Sequence, residues 1–288
     1  MEGIDLHIHS TASDGTLSPA EILKLAQKLK LRAIAITDHD TIAGSKEALQ
    51  TGIPPSVKFL TGVEISASSP PSISYAGSFH ILGYSIRLDD PQLNKTLAVL
   101  QQARKNRNPQ IVKRLNSMGF EFSLKDVAKE IGDGQLGRPH IARYLIKKGF
   151  VKSIDEAFKK YLAQGKPAYV DKYRVDCSRA IEIIIDAGGI PVLAHPILLN
   201  FDKNETNDLF ALLKDMGLKG IEVYYPENPP GMTTFYSKLA ERYGLLKTGG
   251  TDFHGSLKPD IQMGSGRGDF FVPYEVYEKL ISASGSCF

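Results

Sequence analysis

Seven short apolar runs recur along the chain, most of them separated by amphipathic stretches, and this rhythm limits the fold more than any other feature. The runs are "GIDLHIH", "RAIAITD", "VKFLTGVEI", "FHILGYSI", "GGIPVLAHP", "KGIEVYY" and "LLKTGGTD". Short runs rich in branched residues and bounded by turn residues read as strands. The stretches between them read as helices. "SPAEILKLAQKLK" carries Ser18 as N-cap, Pro19 at the first helical position and Glu21 three residues after the serine, a capping box. "CSRAIEIIIDAG" and "PPGMTTFYSKLAERYG" run out in glycine, as helix ends often do. The alternation marks an α/β fold, and seven strands with intervening helices predict a parallel barrel.

The rhythm breaks between Pro91 and Val175, where "PQLNKTLAVLQQARKNRNPQIVKRLNSMG", "SLKDVAKEIG", "RPHIARYLIKKG" and "SIDEAFKKYLAQG" read as successive helices. The expected organisation is a barrel over 1–90 and 176–288, with a helical insertion over 91–175 that contributes to substrate binding. A chain of 288 residues is long enough for this.

Composition excludes several classes. A net charge of +3 does not call for a polyanionic partner. Cys177 and Cys287 offer neither metal-ligand spacing nor a disulfide framework, which fits a reducing cytosol. No signal-peptide pattern opens the chain and no apolar run is long enough for a membrane span, so the expected location is cytoplasmic. No obligate protein partner is implied, and "SASGSCF" reads as a frayed tail.

The histidines carry the chemistry. Residues two apart on a strand face the same side, so His7 and His9 point together. Asp38 and His39 end the second run, Glu64 the third, His195 the fifth, and Asp252 and His254 follow the seventh, while His80 lies in the fourth. Of the seven histidines, only His140 falls outside this set. Ligands converge at the C-terminal rim of a barrel. With Asp14 in the turn after the first strand, the candidates are His7, His9, Asp14, His39, Glu64, His80, His195, Asp252 and His254. Imidazole with carboxylate suits zinc, manganese or iron. Nine ligands are too many for one tetrahedral ion and enough for two or three divalent ions. The competing reading, a set of buried polar residues serving stability, leaves charges and donors uncompensated at a cost of several kcal/mol.

"DLHIHSTASDGTLSP", "AITDHDTIAG", "GVEIS", "FHILGY", "AHP" and "TDFHG", in this order, resemble the PHP (polymerase and histidinol phosphatase) family. The resemblance implies a distorted (β/α)7 barrel with a trinuclear metal site. It implies His7, His9, Glu64 and Asp252 around one ion, Asp14, His39 and His254 around a second, and Glu64, His80 and His195 around a third, with Glu64 bridging. Within the family, "GRPHIARYLIKKG" and the insertion look like the branch acting on nucleotides, which includes 3′,5′-bisphosphate phosphatases and enzymes that trim the 5′ ends of short RNA. That likeness implies that Arg138 and His140 reach over the site and hold a substrate phosphate; the competing reading of Arg138 is an ordinary first-turn residue.

Other basic residues are less distinctive. Arg104, Lys105, Arg107, Lys113 and Arg114 form either a solvated helix face or an electrostatic funnel. Lys166, Lys172 or Arg174 could return to the rim, and Arg267 in the glycine-rich loop "GSGRGD" could approach the site. Asp38 reads as orienting a ligand histidine, and Tyr224 or Tyr225 as stacking on a base or packing.

The expectation is a metal-dependent phosphoesterase in which a metal-bridging hydroxide attacks a nucleotide phosphate ester. The substrate is a nucleoside 3′,5′-bisphosphate or the 5′ end of a short oligonucleotide. Asp252, His195 and His254 are the catalytic candidates, with either histidine or a bound water protonating the leaving group. The rival readings are a histidinol-phosphate phosphatase, a hydrolase of amides or non-phosphate esters, and a non-catalytic metal-stabilised binding module.

Overall fold

Strands β1 (Ile4–Ile8), β2 (Ala33–Ile36) and β6 (Ile190–Leu193) are buried along their whole length. Helices cover one face of the sheet and side chains fill the other, so these runs are continuously apolar rather than alternating. The computed structural model describes residues 3–73, 75, 77, 79–129 and 135–285. Cys287 and the end of the "SASGSCF" tail lie outside them, as does the end of the expected "SLKDVAKEIG" helix.

The remaining strands are β3 (Lys58–Ser68), β4 (Phe79–Tyr84), β5 (Val175–Asp176), β7 (Gly220–Tyr224) and β8 (Leu246–Gly249). The sheet order is β1-β2-β3-β4-β6-β7-β8, and the two-residue β5, absent from the sequence reading, pairs with the end of β3. After β8, Phe253 bridges back to Ile8: His9 N donates to Phe253 O at 2.9 Å and Phe253 N to His7 O at 3.2 Å. The sheet thereby curls into a distorted (β/α)7 barrel, the class expected.

The expectation of an all-parallel barrel fails at one strand. β4 runs antiparallel to both β3 and β6. Only residues 69–78 lie between β3 and β4, and a parallel return needs a crossover of roughly a dozen residues or more.

The helices are α1 (Pro19–Lys28), α2 (Ala43–Thr51), α3 (Pro91–Ser117), α4 (Leu124–Ala128), α5 (Arg138–Lys147), α6 (Ile154–Ala157), α7 (Cys177–Asp186), α8 (Lys203–Asp215), α9 (Met232–Tyr243) and α10 (Tyr274–Ala283). The capping box of α1 forms as read: Glu21 N donates to Ser18 Oγ and Ser18 N to Glu21 Oε2. Helix α3 serves two cores. Leu93, Leu97 and Leu100 pack with the barrel helices, whereas Ile111, Val112 and Leu115 pack with Val127, Ile141 and Leu145. One rigid helix therefore carries the second core out over the rim of the barrel.

Candidate metal centre

The first strand delivers His7 and His9 to one side, as their spacing requires. His7 Nε2 and His9 Nε2 lie 3.2 Å apart, and both rings are buried. Two glycines make this packing possible. A Cβ on Gly250 would sit 2.2 Å from His7 N, and one on Gly15 would sit 2.1 Å from His9 O. Three residues at the rim hold left-handed backbone: Asp40 (φ 55°), His195 (φ 26°) and Asp252 (φ 54°). Such conformations cost roughly 1–3 kcal/mol each for non-glycine residues and cluster at functional sites.

Glu64 is the hub. One carboxylate oxygen lies 2.8 Å from His80 Nδ1, 3.0 Å from His195 Nε2 and 3.6 Å from His7 Nε2. The other lies 2.8 Å from His39 Nδ1 and 3.3 Å from His9 Nε2. Asp252 Oδ1 lies 3.1 Å from His9 Nε2 and 3.5 Å from His7 Nε2. Asp14 faces His39 at 3.8 Å and His254 at 3.5 Å. Three groups of donor atoms are close enough to share an ion: His7, His9 and Asp252; His9, Asp14, His39 and His254; and His39, Glu64 and His80. Eight of the nine residues named from the sequence fall in these groups; His195 joins only through Glu64, 3.0 Å from its Nε2, so His39 takes the place expected for His195, and Glu64 falls in one group rather than bridging two. His9 and His39 each belong to two groups, a sharing the sequence reading did not include.

The donor set fits metal ions on its own chemistry. Asp14 Oδ1, His39 Nδ1, Glu64 Oε2 and His195 Nδ1 are buried without a hydrogen-bond partner of acceptable geometry. Orphaned buried polar atoms are rare and costly, and here they gather at one point. Burial pulls the His39 imidazole down to about 4, overriding Glu64 and Asp14. His39 is therefore neutral, the form that ligates. Burial alone would raise the Glu64 carboxyl, but His80, His39 and His7 hold it well below its usual range. The same balance, with Lys258 the leading cation, keeps Asp252 ionised.

Three residues that support this cluster were not singled out from the sequence. Glu222 Oε1 lies 2.9 Å from His7 Nδ1, and its other oxygen accepts from His195 N at 2.6 Å. A buried carboxylate behind a histidine fixes the tautomer and leaves the opposite nitrogen free to ligate. The available signal was a lone acid inside the apolar run "KGIEVYY". Lys258 Nζ lies 2.6 Å from Asp252 Oδ2. Tyr225, read as stacking or packing, donates its hydroxyl to Asp252 Oδ2 at 3.2 Å. Asp38 departs from its expected role. It holds Ser10 and Ser13, and reaches His9 only through Ser13, 3.4 Å from His9 Nδ1.

The third is Asp40, buried opposite the insertion. Its carboxylate accepts from Arg104 Nε at 2.7 Å, Lys172 Nζ at 3.3 Å, Ser66 N at 2.7 Å and Ser66 Oγ at 2.9 Å. Its carbonyl accepts from Gln101 Nε2 at 2.9 Å. One carboxylate thereby ties both ends of the insertion to the loop that carries His39.

The cluster opens into a cavity of about 420 Å³ whose far wall is cationic: Arg104, Arg107, Arg138, Lys172 and Arg174. The basic run on α3 divides by helical face. Arg104 and Arg107, three residues apart, are buried toward the cavity, while Lys105, Lys113 and Arg114 are exposed. Among the described residues Arg107 donates only to Asn108 Oδ1, at 3.2 and 2.9 Å, and has no carboxylate partner. Burial, with Arg104 and Arg138 beside it, pulls its guanidinium down to about 9, still charged at neutral pH. Arg138 lies over Phe158 and Tyr169, 5.5 Å from each ring centre, and donates to Leu162 O. His140 does not join it: its ring lines a neighbouring cavity. Lys166 is exposed, and Arg267 pairs with Asp260 and Glu227; neither lines the metal cavity.

Comparison with known proteins agrees with this geometry. The family model of the PHP domain matches residues 5–188. A 5′-3′ exoribonuclease of Haemophilus influenzae is 36% identical over 87% of this chain and 89% of its own. A 3′,5′-nucleoside bisphosphate phosphatase of Chromobacterium violaceum is 32% identical over 88% of each chain. The crystal structure of a Bifidobacterium adolescentis protein, assigned as a metal-dependent phosphoesterase, superposes with a TM-score of 0.85 at 28% identity, covering 100% of this chain and 98% of that one. With its nine candidate ligands gathered at the rim of a distorted barrel, the chain belongs to the PHP domain family.

Proposed function

We propose that this chain hydrolyses a phosphate ester of a nucleotide, either a nucleoside 3′,5′-bisphosphate or the 5′ end of a short oligonucleotide. It is a metal-dependent hydrolase acting on phosphoric ester bonds. One observation carries the substrate class: a buried Arg107 with no carboxylate partner among the described residues, in a cationic wall that faces the ligand cluster across one cavity. A buried guanidinium without an anion is costly, and a phosphate supplies the missing charge with bidentate geometry. A substrate with two phosphates places one at the cluster and the other at this wall.

The nine residues from His7 to His254 hold two or three divalent ions of manganese, zinc or iron. When bound, such ions supply Lewis acidity and a hydroxide available near neutral pH. The chain's own residues do the rest. Glu222 and Asp252 orient His7 and His9. Arg107 and Arg138 hold the non-reacting phosphate, and Lys172 and Arg104 are set in place by Asp40. His195 and His254 are the candidates to deliver a proton to the leaving oxygen, and Asp252 stays ionised between His254 and Lys258. The segment 91–175 is the insertion that supplies the substrate-binding wall. Among the described residues no helix is long and apolar enough to cross a membrane, and with the cysteine usage this supports a cytoplasmic enzyme acting on small phosphate esters or short oligonucleotides.

The test is Arg107→Ala, alongside Arg138→Ala, on a nucleoside 3′,5′-bisphosphate and on a simple aryl phosphate. Each variant should raise KM for the bisphosphate about tenfold or more, as expected for a lost charge-assisted bond, with a much smaller effect on the aryl ester. Equal effects on both would remove the wall from substrate recognition.

A further inference from the structure

We propose that a second cavity, beside the metal centre, takes the part of an oligonucleotide that follows the reacting phosphate in the 3′ direction. This rests on the nucleotide reading above and extends it to a second binding site. The cavity is about 640 Å³, within the range of small-molecule sites. Thr11, Thr16, His140, Arg143, Ser256 and Gln262 are among the residues that line it, and no carboxylate of the described residues does.

The two cavities share their partition. Asp14 and His254 line the metal cavity, while their chain neighbours Ser13, Gly15, Phe253 and Gly255 line the second. Helix α5 straddles the same partition: Arg138 and Pro139 line the first, His140 and Arg143 the second. At its start, a Cβ on Gly137 would lie 3.8 Å from Asp14 Oδ2 and 4.0 Å from His140 Nδ1. The second cavity is thus one residue away from the ligand group of Asp14 and His254.

Its free donors match a phosphodiester and a ribose. His140 is buried, at 5% exposure, and its Nδ1 accepts from Gly137 N at 3.0 Å. Burial keeps this imidazole neutral, so its proton sits on Nε2, which has no partner among the described residues. Arg143 is exposed on α5 and makes no ion pair among the described residues. The Thr11 hydroxyl is likewise unused among them. A neutral N–H donor, one guanidinium and hydroxyls, with no acid among the described lining residues, recognise the phosphodiester backbone rather than a base edge.

The chemistry links the two cavities. Water adds across the P–O3′ bond: its hydroxyl goes to phosphorus, its proton to O3′, and that bond breaks. In a nucleoside bisphosphate the reacting phosphate carries nothing further. In an oligonucleotide it keeps its bond to O5′ of the next nucleotide, and that nucleotide needs a place. The nucleotide released lies in the cationic cavity, and the shortened chain, with a new 5′-phosphate, lies in the second.

The test compares kcat/KM for a nucleoside 3′,5′-bisphosphate and a 5′-phosphorylated tetranucleotide in wild type, Arg143→Ala and Arg143→Lys, with manganese supplied. The ratio of tetranucleotide to bisphosphate should fall about tenfold in Arg143→Ala, mainly through KM, and recover in part in Arg143→Lys. An unchanged ratio, or wild-type turnover of the bisphosphate without the tetranucleotide, overturns the second site and leaves the nucleotide reading intact. Wild-type silence on both substrates with metal bound overturns the nucleotide reading itself.

Discussion

Asp40→Asn separates the account of the cationic wall most sharply from its alternatives. The carboxylate is fully buried and faces two cations, Arg104 at 2.7 Å and Lys172 at 3.3 Å. Breaking a buried pair from one side costs roughly 3–5 kcal/mol, because the remaining charge is left uncompensated. Two features place the expected value at the low end, about 3 kcal/mol. The amide still accepts one hydrogen bond. Lys172, which burial already pulls down to about 7 against the raising effect of Asp40, can shed its proton. For a chain of this size a loss of that order lowers Tm by about 6 °C. The pH dependence follows from the signs. Arg104 and Lys172 hold the Asp40 carboxyl well below its usual range against burial. Its contribution is therefore fully present above the ordinary carboxylate pKa, and is lost only as pH falls through the lower folded value. Between pH 6 and pH 9 Lys172 loses its proton, so the penalty of Asp40→Asn should shrink as pH rises. Thermal unfolding of both proteins at the two pH values, with KM for the bisphosphate measured alongside, reads all three effects. A Tm within about 2 °C of wild type at pH 6, with an unchanged KM, would refute the claim that Asp40 positions the wall.

The remaining predictions are simpler. His7→Ala should abolish phosphoesterase activity and lower metal content by elemental analysis, with far-UV circular dichroism unchanged; full activity would sink the ligand assignment. Because Lys172 is pulled down to about 7 by burial and its cationic neighbours, KM for a dianionic substrate should rise as pH climbs past that value. Lys172→Arg should flatten the rise, and a slope unchanged in that variant would exclude Lys172 as its source.

The candidate ligand set was legible because strand ends are. His7 and His9 share a face by period alone, and the other candidates fall where strands deliver side chains to one rim. What period does not encode was missed. The direction of β4 depends on the length of residues 69–78 rather than on any residue in the strand. Asp40 sits next to the candidate ligand His39 but falls in none of the ligand groups, and only the fold brings Arg104 and Lys172, separated by 68 residues of chain, to its carboxylate. Glu222 was hidden by the tyrosines that follow it. Arg138 and His140 were read as one clamp, but residues two apart on a helix point about 200° apart, and here they line different cavities.

Phosphate release from a nucleoside 3′,5′-bisphosphate, by protein loaded with manganese and run beside histidinol phosphate, is the most direct test of the account. We expect fast release from the bisphosphate, little from histidinol phosphate, and loss of activity on chelation that returns when metal is restored. No release from the bisphosphate by protein shown to hold its ions would contradict the assignment.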